Sequence, residues 1–457
     1  MSAPESVPPP PAPEPVPEPA AATATATADT PSTGGSVADK PAADKPAKPA
    51  PPADAESRLA KLPSVFTPAI PVSQSAVFAG RLEQIQQVVD AIGQPGVHVV
   101  IFGEPGVGKT SLANILSKRL ASEKKAVVAP RVTCERTDDF SSLWRRIFAD
   151  IKVARERAVV GFGAKPREEQ GSLDENVPET VTSADVKRAL TSVGRGCVLV
   201  VIVDEFDRIG DPEVRDTFAD TIKVLSDHAV PATLILVGVS DTVDGLIEQH
   251  GSVERALVQV RMPRMSADEL EHIVTRGLEL LGMTVEPDAL AHVAVLSQGL
   301  PHYTHLLSLH AARIAIDAGL ARVDTTHVVQ AIGRALDKAQ HSIKSAYAAS
   351  IASRHERNYY PDVLLACALA RNDDFGFFGP ADVRSALDRL SPGTYKDTRI
   401  ERHLVHFAPA GADAAPGILH AEARPQGRRY RFRNPLMQPF VILQGVSTGR
   451  VTREMLG

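Results

Sequence analysis

The stretch Val99-Val-Ile-Phe-Gly-Glu-Pro-Gly-Val-Gly-Lys-Thr-Ser111 constrains this chain more than any other. An apolar, β-branched run reads as a strand, and Ser111–Leu120 after it has the composition of a helix. Between them Gly103, Glu104, Pro105, Gly106, Val107, Gly108, Lys109 and Thr110 spell G-x-x-x-x-G-K-T. Glycine at Gly106 and Gly108 lets the backbone turn tightly around an anion. The loop N–H groups and the following helix N-terminus then face a phosphate. Lys109 is the candidate for reaching the β- and γ-phosphates, and the Thr110 hydroxyl for ligating Mg²⁺. The expectation is an α/β fold with a nucleoside triphosphate site at a strand–helix junction.

With 457 residues the chain is long enough for two or three domains. The first 52 residues hold 15 of its 36 prolines and almost no large apolar side chain. Such a tail cannot bury enough surface to offset its ordering entropy, so disorder is expected. It lacks a basic start followed by an apolar stretch, and so does not read as a signal peptide. No apolar run reaches the roughly 18 residues a membrane span needs, and no membrane partner is expected. Cys134, Cys197 and Cys367 are too widely spaced for a zinc site and read as reduced thiols. These features point to a cytoplasmic protein. Net charge is −5 overall, yet residues 354–457 carry 15 Lys and Arg against 11 Asp and Glu. A basic C-terminal module on an acidic remainder points to an anionic partner.

A second all-apolar run, Val198–Val203, ends in Asp204 and Glu205. It suits a central parallel strand covered on both faces, with the acids in the crevice at its C-terminal end. Asp204 is the candidate Mg²⁺ holder, and Glu205 the candidate for orienting the attacking water. Ala232–Val239 is a third strand candidate, with Ser240 or Asp241 placed to sense the γ-phosphate, or simply to start a turn. Ala126–Cys134 is a fourth.

Val77-Phe-Ala-Gly-Arg-Leu-Glu-Gln-Ile85, the P-loop, Val203-Asp-Glu-Phe-Asp-Arg208, Gly238-Val-Ser-Asp241 and Gly299-Leu-Pro301 follow one another in a single order. The set resembles AAA+ ATPases of the origin-recognition and initiator type, and the related STAND signalling ATPases, over about residues 63–340. The resemblance implies a parallel-sheet core over 63–264, a helical lid over 265–345, ATP hydrolysis and an adenine bordered by Phe78–Arg81. It also implies an arginine that reaches a neighbour's γ-phosphate, for which Arg255 is the candidate, with Arg261 and Arg264 behind it. One departure concerns the lid, where this type often carries Gly-x-Pro-Arg. Here Gly299-Leu-Pro ends in His302. A neutral imidazole stabilises developing phosphate charge poorly, which favours slow turnover or a nucleotide-held switch.

Leu270, Ile273, Val274 and Leu278 recur at helical spacing behind Ser266-Ala-Asp-Glu269, a helix-start signal. Phe162–Glu179 is rich in Gly, Pro and Glu and reads as an exposed inserted loop.

The span 346–457 reads as a winged helix, with residues 1–62 assigned to the tail. Two helical patterns, Val363–Ala370 and Val383–Leu390, precede a third over Lys396–Phe407 that carries Arg399 and Arg402. Pro425-Gln-Gly427 then reads as a turn between two strands, Ile418–Arg424 and Arg428–Arg433. Period-2 geometry sends Tyr430 and Phe432 to one face and Arg429, Arg431 and Arg433 to the other. Lys396, Arg399, Arg402, Arg428, Arg429, Arg431 and Arg433 are therefore the candidate contacts to double-stranded DNA. Two readings stand. In one, ATP or ADP sets how the winged helix meets DNA. In the other, a STAND-like switch uses the winged helix for autoinhibition, self-association or assembly with a protein partner.

Overall fold

The computed structural model describes residues 53–68, 80–92, 94–121, 127–157, 167–194, 196–240, 243, 246–247, 251–353, 358–373, 375–396, 398–409, 417–424, 427–452 and 455. The proline-rich stretch 1–52, Phe78, Asp241 and the residues Pro425-Gln426 of the wing turn lie outside them.

Helices α1 (Ala53–Val65) and α2 (Leu82–Ile92) precede β1 (His98–Gly103), which feeds α3 (Lys109–Ala121). Next come β2 (Val127–Val128), β3 (Arg131–Thr133), α4 (Phe140–Asp150), the strands β4 (Lys152–Arg157) and β5 (Arg167–Ser172), and α5 (Ser183–Gly194). The core closes with β6 (Val198–Asp204), α6 (Pro212–Asp227), β7 (Ala232–Val239), α7 (Gly251–Glu254) and β8 (Leu257–Arg261). The sheet runs β2-β6-β7-β1-β8, with β3 continuing the edge beside β6, and its pairings are parallel. Alternate residues of each central strand enter different cores: Val99 and Ile101 one, Val100 and Phe102 the other. Apolar side chains on both faces are what a sheet sandwiched between helices requires. Register pairs Gly103 with Val239 and Val203 with Leu236, so the P-loop, Asp204 and the end of β7 share one edge. Because β1 lies between β7 and β8, that edge opens a crevice above the strand C-termini.

The segment expected as a loop over 162–179 contains β5, antiparallel to β4, and a single helical turn at Leu173–Asn176. Backbone pairing needs no apolar alternation, so a charged sequence hides such a hairpin from pattern reading.

The lid comprises α8 (Ala267–Leu280), β9 (Thr284–Val285), α9 (Pro287–Ser297), α10 (Pro301–Asp317), β10 (Arg322–Val323) and α11 (Thr325–Lys338). Its first helix opens on the expected box: Glu269 N donates to Ser266 Oγ at 3.2 Å, and Ser266 N to Glu269 Oε2 at 2.9 Å. Helix α1 joins this lid rather than the tail to which residues 53–62 were assigned. Leu62 and Phe66 are buried in the lid core, and Arg58 Nε donates to Leu281 O at 3.2 Å.

The C-terminal module contains α12 (His341–Ile351), α13 (Tyr360–Leu369), α14 (Pro380–Leu390), α15 (Ile400–Phe407), β11 (Leu419–Arg424), β12 (Gly427–Phe432) and α16 (Met437–Ser447). Three helices followed by the antiparallel β11–β12 ribbon make the winged helix expected from the sequence. The third helix starts at Ile400 rather than Lys396. Turns occupy residues 392–396, where Gly393 takes φ +80° after Pro392. The sequence reading did not foresee α16. Lid and winged helix share one continuous apolar core.

Candidate nucleotide site and the contacts around it

The P-loop leaves β1 with Gly106 at φ +84° and Gly108 at φ +98°, backbone geometry that other residues resist. Lys109 begins α3, and its ammonium donates to Gly103 O at 2.9 Å and Glu104 O at 2.8 Å. Burial pushes its pKa down to about 8, although Asp207, Asp204 and Glu104 pull the other way. A cavity of about 350 Å³ opens here, floored by Gly106, Gly108, Lys109, Thr110 and Ser111. Asp204, Glu205, Asp207, Gly238 and Val239 wall one side; Thr67, Pro68, His302 and His305 wall another. The sequence-predicted P-loop and acidic residues therefore converge on one cavity.

The Thr110 hydroxyl lies 3.5 Å from Asp204 Oδ1. A hydroxyl beside a carboxylate is the oxygen-donor chemistry that suits Mg²⁺. Asp204 is almost fully buried and also accepts from Glu205 N at 2.9 Å and Arg131 Nη2 at 2.5 Å. Glu205 takes the left-handed conformation, φ +54°, uncommon for a residue with a side chain. Its carboxylate is paired with Arg208 at 2.7 Å. Asp207 accepts from Val239 N at 2.7 Å and so ties the end of β6 to that of β7.

His302 faces this cavity, with Nδ1 2.7 Å from Pro68 O. Burial lowers its pKa and takes that of His305 down to about 4, so both imidazoles are neutral at pH 7. Arg81, expected beside adenine, is buried against the P-loop. Its guanidinium donates to Val107 O at 3.3 Å and to Pro263 O.

The three arginines considered as fingers fall in different places. Arg255 is exposed, paired with Asp227 at 3.2 Å, before the N-terminal end of β8 and thus at the sheet edge opposite the P-loop. Arg261 lies over the Phe375 ring at 4.0 Å. Arg264 lies 2.8 Å from Glu104 Oε2, 3.3 Å from Gln298 O and 2.7 Å from Gln438 Oε1. One guanidinium thereby joins the P-loop, the lid and the winged helix. Leu436 reinforces the junction: its side chain lies over Gly106 and its carbonyl accepts from Tyr303 Oη at 2.7 Å.

Tyr430 and Phe432 are buried, as the alternation requires, but the wing guanidiniums are not a free comb. Arg429 donates to Phe377 O at 2.7 Å beside Asp373 and Asp382, and Arg431 lies over the Phe377 ring at 4.7 Å. Arg433 Nε donates to Leu419 O at 3.2 Å. Ser240, Glu104, Arg431 and Arg433 line a second cavity of about 290 Å³. Lys396, Arg399, Arg402 and Arg428 are exposed. Sequence reasoning missed Arg131, Asp207, His305, Leu436 and Gln438. No local pattern marks them, because each acts through a partner distant in sequence.

A family model described as nSTAND1, Novel STAND NTPase 1, matches residues 69–353. The chain belongs to this family. With the P-loop and the β2-β6-β7-β1-β8 order, nSTAND1 membership makes it a P-loop protein of the STAND NTPase type. The Holliday junction branch migration complex subunit RuvB of Paramagnetospirillum magneticum is 23% identical over 255 residues, 53% of this chain and 59% of that protein. The nSTAND1 chain thus spans less than two thirds of that relative's length. Among solved structures, the Aeropyrum pernix ORC2 protein in ADPNP-ADP complexes aligns with TM-score 0.44 at 16% identity, covering 84% of this chain and 98% of that one. The Thermotoga maritima RuvB Holliday junction branch migration motor aligns with TM-score 0.39 at 16% identity, covering 78% and 94%. Among the described residues of the nSTAND1 chain, no helix is long and apolar enough to cross a membrane.

Proposed function

We propose that this chain is an ATP- and ADP-binding switch whose winged helix is docked against its own phosphate-binding loop and released by nucleotide exchange. The observation that carries this reading is the Arg264 bridge from Glu104 of the P-loop to Gln438 of α16. A nucleotide that shifts the P-loop acts directly on the contact that holds the winged helix. Lys109 and the loop N–H groups would bind the phosphates. Thr110 would offer Mg²⁺ an oxygen, and Asp204 a second to the extent that Arg131 releases it; the ion, when bound, would supply positive charge beside the phosphates. Adenine is favoured by the family relationship alone. Turnover is slow in this account. Glu205 is tied to Arg208, and the neutral His302 stands where a permanent charge would stabilise the transition state.

The test is hydrogen–deuterium exchange of the full chain with ADP, with ATP and without nucleotide. The expected result is protection of 360–447 with ADP and its loss with ATP. Equal protection in all three states contradicts the switch. A second reading, direct contact with duplex DNA, draws support from exposed Lys396, Arg402 and Arg428. Salt-dependent fluorescence anisotropy tests it. Binding that Lys396→Ala/Arg402→Ala/Arg428→Ala protein loses supports it, and no binding at low salt rules it out.

A further inference from the structure

We infer that Arg131 is a resident counter-cation at the magnesium position, so that this chain holds nucleotide with little help from Mg²⁺. The inference rests on the reading of the P-loop as a nucleotide site. Strand β3 pairs with β6 in a register that sets Arg131 opposite Ile202 and Thr133 opposite Asp204. From there Arg131 Nη2 reaches Asp204 Oδ2 at 2.5 Å. The other nitrogen, Nη1, donates to Asn114 Oδ1 on α3. The arginine is thus held between the P-loop helix and the acid meant for the metal. Asp204 is 2% exposed and Arg131 26%, so water screens the pair weakly.

Both oxygens of Asp204 already have partners. Oδ1 accepts from Glu205 N at 2.9 Å and lies 3.5 Å from the Thr110 hydroxyl, while Oδ2 belongs to the guanidinium. Mg²⁺ demands near-ideal octahedral oxygen geometry and gives up its water reluctantly. To use Asp204, directly or through a bound water, it must approach a carboxylate already neutralised by a fixed positive charge. Arg131 and Mg²⁺ therefore compete for one buried acid. The guanidinium already neutralises the carboxylate on which the metal would draw. Removing it leaves an unpaired buried carboxylate, which Mg²⁺ then satisfies.

The test measures the affinity of the full chain for a fluorescent N-methylanthraniloyl-ADP, with EDTA and with millimolar Mg²⁺. Wild-type affinity is expected to differ by less than about threefold between the two conditions. In Arg131→Met, Mg²⁺ should tighten binding by about tenfold or more. Arg131→Lys keeps the charge and should behave like wild type. Asn114→Ala frees one side of the guanidinium and should fall between. Tightening of wild type by about tenfold with Mg²⁺, or an Arg131→Met protein with no metal dependence, overturns the inference while leaving the nucleotide site intact. If Arg131→Met fails to fold, the wild-type, Arg131→Lys and Asn114→Ala measurements still decide. Absence of binding by wild type in both conditions overturns the nucleotide reading and the inference with it.

Discussion

Lys109 couples nucleotide affinity to pH with a definite sign. Its pKa is lowered to about 8 by burial, and only the ammonium attracts phosphate. Affinity should therefore be flat below pH 7 and weaken through pH 8, by about tenfold between pH 7 and 9, as equilibrium titration would show. Lys109→Ala should weaken nucleotide binding on the order of 100-fold at pH 7, the equivalent of a lost charge-assisted hydrogen bond. Arg208 acts on turnover instead. It lies at the surface and pairs with the Glu205 carboxylate at 2.7 Å. Arg208→Ala should free that base and raise kcat by about tenfold with little change in KM, in a steady-state phosphate-release assay. An unchanged kcat would show that Glu205 is not restrained by this pair.

At the scale of elements, two predictions concern how neighbours hold the crevice shut. Gly376, in the α13–α14 connection, has φ +75°, and a Cβ there would lie 2.4 Å from Glu104 Oε1. Gly376→Ala should strain the turn and push Glu104 away from Arg264, at about 1–2 kcal/mol, lowering the melting temperature by several degrees. Helix α1 is the second case. Leu62 is fully buried against the lid, so Leu62→Ala should cost about 2–4 kcal/mol by denaturant unfolding. A surface-like value would place α1 outside the cooperative unit. The strands β1, β6 and β7 were legible because each is a nearly continuous apolar run buried on both faces. Helix α1 was not, because Ala53–Val65 continues the Ala- and Pro-rich composition of the preceding segment and shows its apolar face only once Phe66 meets Gly277. The β4–β5 hairpin escaped for a related reason, since its charged residues carry no period to read.

For the molecule as a whole, the sequence marks the chemistry of the P-loop and of Asp204 and Glu205, but not how the domains close over it. Residues that set that closure, Arg264, Gln438 and Leu436, are ordinary in isolation and acquire a role only through partners as far as 174 positions away in the chain. The wing shows the same limit. Its alternation correctly buries Tyr430 and Phe432, yet Arg429 turns back onto Phe377 O between Asp373 and Asp382. A charged strand face is thus partly consumed inside its own domain. Arg255 raises a question of assembly, since it lies at the edge opposite the P-loop and could serve only another copy's site. Arg255→Ala should leave monomer nucleotide affinity unchanged and lower turnover only where light scattering detects oligomers.

The most direct measurement of the central claim is the dissociation rate of N-methylanthraniloyl-ADP from wild-type and Arg264→Ala/Gln438→Ala protein. If the winged helix closes on the P-loop through these residues, losing the bridge should speed release by about tenfold or more, at least about 1.4 kcal/mol of closure. Equal rates, from a double variant with wild-type melting temperature, would mean that the winged helix does not gate the nucleotide.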